Sequence, residues 1–235
     1  DDYVSFIPSM MDFPLQNAII KGLLEKDTWD SGLVNIFRVL ANDFQYGNPY
    51  NLVVFAGNHD MTRIYSLLNE RMDLYKMAMS IICTIRGIPQ IYYGTEIAMA
   101  STADHGELRK DFPGGWPNDD KNAFTGNGLD ERELDAQNYL KKLLNWRKNN
   151  LAIAKGDLIH YPVQEGIYVY FRRYENDMVM IIINNNDMAK TVYPDHFNET
   201  IKGRTKGVNI INDRLHYLSR EINIPGKSTL VLEIH

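Results

Sequence analysis

The spacing of apolar residues changes near residue 150, and that change limits what this chain can fold into. Before it, a strand-like stretch at 3–10 and short, largely apolar runs at 52–56 and 90–94 alternate with stretches of helical spacing. Runs of this kind fit strands buried on both faces of a parallel sheet. Leu15, Ile19, Leu23 and Leu24, and later Leu74, Tyr75, Ala78, Met79, Ile82 and Ile85, recur three and four residues apart, as one face of a helix requires. Gly87 and Pro89 close the second of these helices. Further helices are expected over 32–43 and 134–148, the latter apolar at Leu140, Leu143, Leu144 and Trp146. Strands and helices alternating in this order imply βαβ units with right-handed crossovers.

Beyond residue 150 the period is two. Strands are expected at 166–171, 178–183, 191–193, 208–211, 221–224 and 229–234, separated by turn residues, with Asn184-Asn185-Asn186-Asp187 as a hairpin turn. The reading is therefore an α/β unit over 1–149 and an all-β, antiparallel, two-layered domain over 150–235. A chain of 235 residues is long enough to bury a core in each.

Charge and cysteine usage exclude several classes. A formal charge of −5 and a pI near 5.7 give no general attraction to phosphate backbones or anionic lipid, so nucleic acid is a poor partner. The single cysteine, Cys83, cannot form an intramolecular disulfide, and its apolar neighbours point to an inert core thiol. No apolar run reaches the roughly 20 residues that span a bilayer. The chain opens Asp1-Asp2-Tyr3 without an initiator Met, the start expected of a fragment.

Parallel strands gather their ligand chemistry where the βα loops meet, at the strands' C-terminal ends. Asn58, His59 and Asp60 occupy such an end, and Tyr93, Gly94 and Glu96 another. There a carboxylate can accept hydrogen bonds from two adjacent sugar hydroxyls, while an imidazole donates one or acts as acid or base. The same three residue types also cap loops, so the triplet alone leaves both readings open. The polar stretch 101–132 is too long for an idle connection. It presents Trp116 on the turn Phe112-Pro113-Gly114-Gly115-Trp116, either to stack on a sugar face or to pin the loop. Asp111, Asn118, Asp119 and Asp120 could hold calcium, or could simply be solvated. His59 with Asp60, or Asp104 with His105, lacks the further ligands of a transition-metal site. No nucleophile elbow, Walker loop, dinucleotide turn or Cys-X-X-Cys pair occurs.

Two motifs together resemble the α-amylase family, glycoside hydrolase family 13. Leu52-Val53-Val54-Phe55-Ala56-Gly57-Asn58-His59-Asp60 is similar to its strand ending in Asn-His-Asp. Gly87-Ile88-Pro89-Gln90-Ile91-Tyr92-Tyr93-Gly94-Thr95-Glu96 is similar to its eighth barrel strand. The stretch 104–116 resembles the following loop in the neopullulanase and cyclomaltodextrinase-like branch, residues 6–14 resemble the sixth strand, and the β tail resembles the family's C-terminal sandwich. The resemblance covers essentially the whole chain.

It implies the last three strands of a (β/α)8 barrel followed by a β-sandwich, and a parent enzyme that hydrolyses α-1,4-glucosidic bonds of starch-derived glucans, pullulan or cyclodextrins with retention. Asp60 would be the carboxylate that stabilises the transition state. His59, Asn58, Arg63, Tyr93, Arg109, Asp111 and Trp116 would contact the glucan. No cofactor is implied, and the family favours a periplasmic or extracellular address. The nucleophilic Asp and acid Glu of the family fall on strands upstream of residue 1, so this polypeptide alone is expected to be inactive. Two other readings remain open: an amylase-like interaction protein without catalysis, and a carbohydrate-binding tail using Tyr161, Tyr168, Tyr170 and Tyr174 as a stacking platform.

Overall fold

The computed structural model describes residues 8–101 and 104–235. Most of the first expected strand, 3–10, lies outside the described residues. At its end Met11 forms a parallel bridge with Val53, flanked by hydrogen bonds from Val53 N to Met10 O (2.8 Å) and from Asp12 N to Val53 O (2.9 Å). Asp12 then caps helix α1 (Phe13–Leu24), accepting from Leu15 N at 2.9 Å, with Pro14 in the first turn where its missing N–H costs nothing. Helix α2 (Val34–Ala41) packs on α1 and ends in a short 3-10 turn, Asp43–Gln45.

Strand β1 (Val53–Phe55) is followed by a short helix α3 (Ile64–Leu67) and by α4 (Met72–Thr84). Strand β2 (Ile88–Gln90) pairs with β1 in parallel, Val54 opposite Pro89. Met11, β1 and β2 thus form three neighbouring parallel segments. Proline in β2 fits an edge position, because it has no N–H to give a further strand. The expected strand at 90–94 is displaced: pairing stops at Gln90, and Tyr92-Tyr93-Gly94 forms a turn in which Gly94 adopts φ 81°. Aromatic content suggested a strand there, but the two tyrosines fasten a loop instead.

After β2 come α5 (His105–Leu108) and the long helix α6 (Glu131–Asn149). Helix α6 opens with a full capping box, Asp130 accepting from Glu133 N while Glu133 accepts from Asp130 N. A five-residue helix, α7 (Leu151–Lys155), leads into strands β3 (Asp157–His160), β4 (Ile167–Tyr174), β5 (Asp177–Asn184) and β6 (Lys190–Val192). Helix α8 (Asn198–Ile201) precedes β7 (Lys206–Asn209), β8 (Leu215–Tyr217), β9 (Ile222–Ile224) and β10 (Ser228–Ile234). All pairings here are antiparallel: a six-stranded sheet in the order β3-β4-β5-β10-β7-β8, and a two-stranded sheet of β6 and β9. Asn184-Asn185-Asn186-Asp187 is no simple hairpin turn. It carries the chain from β5 of one sheet to β6 of the other, and Asn185 Nδ2 reaches Gly22 O (3.1 Å) and Asp27 Oδ2 (2.8 Å) beside the end of α1.

The central strands β4, β5 and β10 of the six-stranded sheet are covered on both faces, and alternate residues serve two cores. Tyr168, Tyr170, Val179, Ile181 and Val231 join the cluster built on α1, α4 and α6. Val169, Phe171, Met180, Ile182 and Leu232 join a second cluster with Val192, Ile222 and Ile224. Helix α4 lies between the α/β unit and the sheet and buries ten of its thirteen residues. Its C-terminal end is fixed by Arg172 of β4, whose guanidinium donates to the carbonyls of Thr84 (3.0 Å), Ile85 (2.7 Å), Ile153 (3.0 Å) and Gly156 (2.8 Å). These carbonyls end helices α4 and α7, where the helix dipole favours a cation. A tyrosine platform on the tail is ruled out for Tyr168 and Tyr170, which are fully buried.

Cys83 sits in this core, and burial pushes its thiol up to about 12. Native protein at pH 8 is therefore expected to leave Ellman's reagent unreacted, while unfolded protein reacts at once; a fast native reaction would contradict the burial. In the unfolded chain the thiol ionises nearer its ordinary 9.0, so stability from the neutral thiol is intact below that pH and falls as pH rises toward 12, by at most ~1.4 kcal/mol per pH unit. Among the described residues no helix is long and apolar enough to cross a membrane.

Candidate active-site corner

Beyond β1 the chain turns at Asn58-His59-Asp60. Asn58 Oδ1 accepts from Asp60 N at 2.9 Å and Asn58 O accepts from Met61 N at 3.3 Å, so Asn58 makes the turn that aims Asp60 outward. The loop-cap reading and the ligand reading of the triplet are thus divided among its members: Asn58 builds the turn, and Asp60 is presented. The Asp60 side chain is 57% exposed, with His59 Nε2 3.2 Å from Oδ2 and Arg109 Nη2 2.7 Å from Oδ1. Arg109 also donates from Nε to His59 O at 3.2 Å, gripping the turn and its carboxylate together.

Arg109 is held in place through Leu108. That residue's carbonyl accepts from Arg63 Nη2 (2.9 Å) and from the Tyr92 hydroxyl (3.2 Å), so the loops after β1 and β2 and the helix α5 converge on one oxygen. Arg63 also donates to Tyr93 O (2.7 Å), and its guanidinium lies 4.9 Å from the Tyr92 ring centre and 5.1 Å from that of Tyr93. Arg63, expected at the glucan, is only 3% exposed. Its Nη1 and Nη2 donate to carbonyls and its Nε is buried without a partner, so it positions the loops and does not present itself at the surface. Tyr93 stays partly exposed while its hydroxyl donates to Lys110 O at 3.0 Å.

Farther along, Trp116 is 64% exposed, and its Nε1 donates to Asp111 Oδ2 at 3.0 Å. Asp119 Oδ2 accepts from Gly114 N (2.7 Å) and Trp116 N (3.1 Å). The tryptophan is thus held by its polar edge and leaves its ring open, which suits a stacking surface better than a loop anchor. Asp111 and Asp119 are each engaged in the turn through one carboxylate oxygen. Among the described residues no three His, Cys, Asp or Glu side chains are grouped to hold a metal.

Two partners at this corner were not expected from the sequence: Leu108 through its carbonyl, and Tyr92. Tyr92 had a signal in its neighbour Tyr93; a backbone carbonyl has none. Glu96 lies where Tyr93, Phe112 and Phe124 line a groove, and burial raises its carboxyl above the ordinary range.

The corner thus presents a solvent-facing carboxylate at the end of a parallel strand, held by an arginine that follows α5 and lying beside a histidine. Residues 8–137 match the family described as alpha amylase, catalytic domain, and residues 158–233 match the cyclo-malto-dextrinase C-terminal domain. The chain belongs to the alpha-amylase family.

Alpha-amylase 3 of Dictyoglomus thermophilum is 29% identical over 219 residues, covering 86% of this chain and 42% of that protein. The cyclomaltodextrin glucanotransferase of Thermoanaerobacterium thermosulfurigenes is 29% identical over 180 residues, covering 76% of this chain and 22% of that enzyme. Among solved structures, alpha-amylase from Geobacillus thermoleovorans complexed with acarbose superposes with a TM-score of 0.79 at 25% identity, covering all of this chain and 50% of that one. The chain therefore spans less than half the length of those two sequence relatives.

Proposed function

We propose that this chain is the C-terminal portion of a retaining glycosidase that cleaves α-1,4-glucosidic bonds in starch-derived oligosaccharides, pullulan or cyclodextrins. The observation that carries this is Asp60: an exposed carboxylate fixed at the end of β1 by Asn58, His59 and Arg109. In the proposed chemistry its oxygens accept hydroxyls of the sugar before the scissile bond. As positive charge builds on the sugar ring, the fixed negative charge stabilises it more than it stabilises the ground state. His59 donates to the same sugar, and Trp116 and Tyr93 supply apolar faces for neighbouring rings. Asn58 and Asp111 act one step back, through the turn that aims Asp60 and the bond that orients Trp116. The reading needs no cofactor.

We divide the chain at 149/150, with the barrel portion before and the β domain after. Retaining hydrolysis needs two more carboxylates about 5 Å apart, which the family resemblance assigns to strands preceding these. The 235-residue chain alone is thus expected to release no reducing sugar from starch or cyclodextrin; measurable turnover would refute that. A longer protein carrying this chain is expected to do so, and inactivity there on starch, pullulan and cyclodextrins would refute the enzyme reading. A periplasmic or extracellular address suits polymeric substrates and is checked by cell fractionation.

In that longer protein Arg109 holds Asp60 by a charged bond and the His59 carbonyl by a second. Arg109→Ala is expected to lower kcat/KM by about 10- to 100-fold, the range of one lost charged hydrogen bond. Arg109→Lys should rescue little, because a point charge cannot span both acceptors. Steady-state kinetics on maltoheptaose measure both.

A further inference from the structure

A second aromatic surface lies away from Asp60. On the β domain, Tyr161, Tyr193, His196 and Phe197 line a concavity of about 490 Å3, whose rim includes Glu165 and Lys190. A second concavity of about 510 Å3 shares Glu165 and Lys190 and continues past Val163 to Trp29. The two together form one groove that crosses from the β domain onto the turn after α1. An aromatic ring stands open at each end, Trp29 at 83% exposure and Tyr193 at 48%.

The groove is built on fixed elements. Trp29 rides on a turn closed by Asp27 Oδ1 accepting from Leu33 N at 2.8 Å, and Asp27 Oδ2 accepts from Asn185 of the β domain at 2.8 Å. Arg38 donates to the carbonyls of Trp29 (3.3 Å) and Asp30 (3.2 Å). At the centre, Gln164 and Ile167 exchange hydrogen bonds of 3.0 and 2.8 Å around Glu165 and Gly166, both at positive φ, 48° and 72°. That is the geometry of a type I′ hairpin turn, which favours Asn or Gly first; a glutamate there is conformationally costly. Tyr161 is fixed by Thr200 Oγ1 at 2.7 Å and by edge contact with Phe197.

Charge narrows the occupant. Glu165 and Lys190 pair at 3.1 Å, so the middle of the groove carries both signs and no net field for a charged partner. One hydrogen bond joins them, which leaves Lys190 further donors and Glu165 further acceptors. Neutral polar groups in the middle and flat apolar rings at the ends fit a chain of linked sugars, which shows hydroxyls at its edges and apolar C–H faces to aromatic rings. The groove is also remote from the candidate corner. Helix α1 starts at the strand-end side near Asp12 and runs 12 residues, about 18 Å, before the Trp29 turn.

We propose that this groove is an accessory binding site for α-glucan chains, distinct from the Asp60 corner, with Trp29 and Tyr193 as stacking residues and Glu165 and Lys190 as hydroxyl partners. The choice of glucan rests on the function proposed above. Its use would be to hold a polymer on the protein, raising the local concentration of chain ends at the reacting site.

The test uses the complete 235-residue chain with maltoheptaose followed by calorimetry or NMR titration. Weak binding is expected, and Trp29→Ala combined with Tyr193→Ala should weaken it about tenfold or more, the equivalent of ~1.4 kcal/mol. Phe44→Ala, at an exposed ring that lines neither concavity, should leave that binding unchanged. Trp29 and Tyr193 are exposed, so the double variant keeps its fold, as circular dichroism would verify. In the longer protein the pair should slow hydrolysis of granular starch and leave kcat/KM for maltoheptaose as it was. No binding at millimolar sugar, binding indifferent to the double variant, or a dimer of the chain that the double variant dissolves would each overturn the proposal. An inactive longer protein whose maltoheptaose binding still depends on Trp29 and Tyr193 would instead refute the enzyme reading and keep the groove.

Discussion

Asp60→Asn in the longer protein is expected to reduce kcat on maltooligosaccharides on the order of 10²- to 10³-fold, the scale of losing one transition-state-stabilising group. The amide keeps the shape and can still be reached by Arg109, but it carries no charge to oppose the cation forming on the sugar. Ground-state hydroxyls still find an acceptor, so KM should change far less than kcat. Asp60 is exposed and lies outside both cores, so the thermal midpoint should stay where it is. Rates like those of the wild type, or a collapse of the midpoint, would remove Asp60 from its proposed role. A loss confined to KM would make it a simple sugar-binding residue.

Arg86→Met is expected to give the largest loss of stability, about 3–5 kcal/mol, because it strands the buried Asp12 carboxylate and the half-buried Asp43 without their cation. Arg86 comes directly after α4 and is fully buried; Nη1 lies 2.5 Å from Asp12, while Nε and Nη2 reach Asp43 at 2.7 and 2.5 Å. Asp12 at the same time caps α1, so the triad ties the start of α1, the turn after α2 and the crossing from α4 to β2 to one cation. In a chain of this size the thermal midpoint should fall by roughly 10 °C. Lysine cannot serve both carboxylates at once, so Arg86→Lys should recover little. Adding Asp12→Asn and Asp43→Asn to Arg86→Met should restore part of the loss, because the penalty is the unpaired charge. If Arg86→Met melted like the wild type, the triad would hold nothing together.

Much of the candidate corner was legible because its residues are adjacent in sequence. Asn58, His59 and Asp60 stand at the end of an apolar run, and a run of that kind in a parallel sheet ends where loops gather. Helix α4 was legible for a similar reason, its apolar spacing being local. The scaffold behind the corner was not. Arg86 meets Asp12 and Asp43 across more than forty residues of chain, and nothing in the spacing of three charged side chains foretells a buried triad. The family resemblance implied that Arg63 contacts the glucan. Only the packed loops reveal that its side chain is buried, with Nη1 and Nη2 donating to carbonyls.

The β domain divides along the same line. Alternation in β4, β5 and β10 was enough to call for strands, and the turn residues were enough to separate them. Alternation could not tell that both faces are covered, because period two reports which residues share a face and not what lies against it. With α4 on one side and β6 with β9 on the other, Tyr168 and Tyr170 become core residues, and an aromatic surface arises instead from Trp29 and Tyr193, 164 positions apart. By itself the sequence determined the elements, their order and the residue types at the strand end, since these arise from local stereochemistry and periodic burial. The tertiary structure decided which charges are neutralised, which aromatic rings stay in solvent and how Asp60 is aimed, because each depends on groups that only folding brings within a few ångströms.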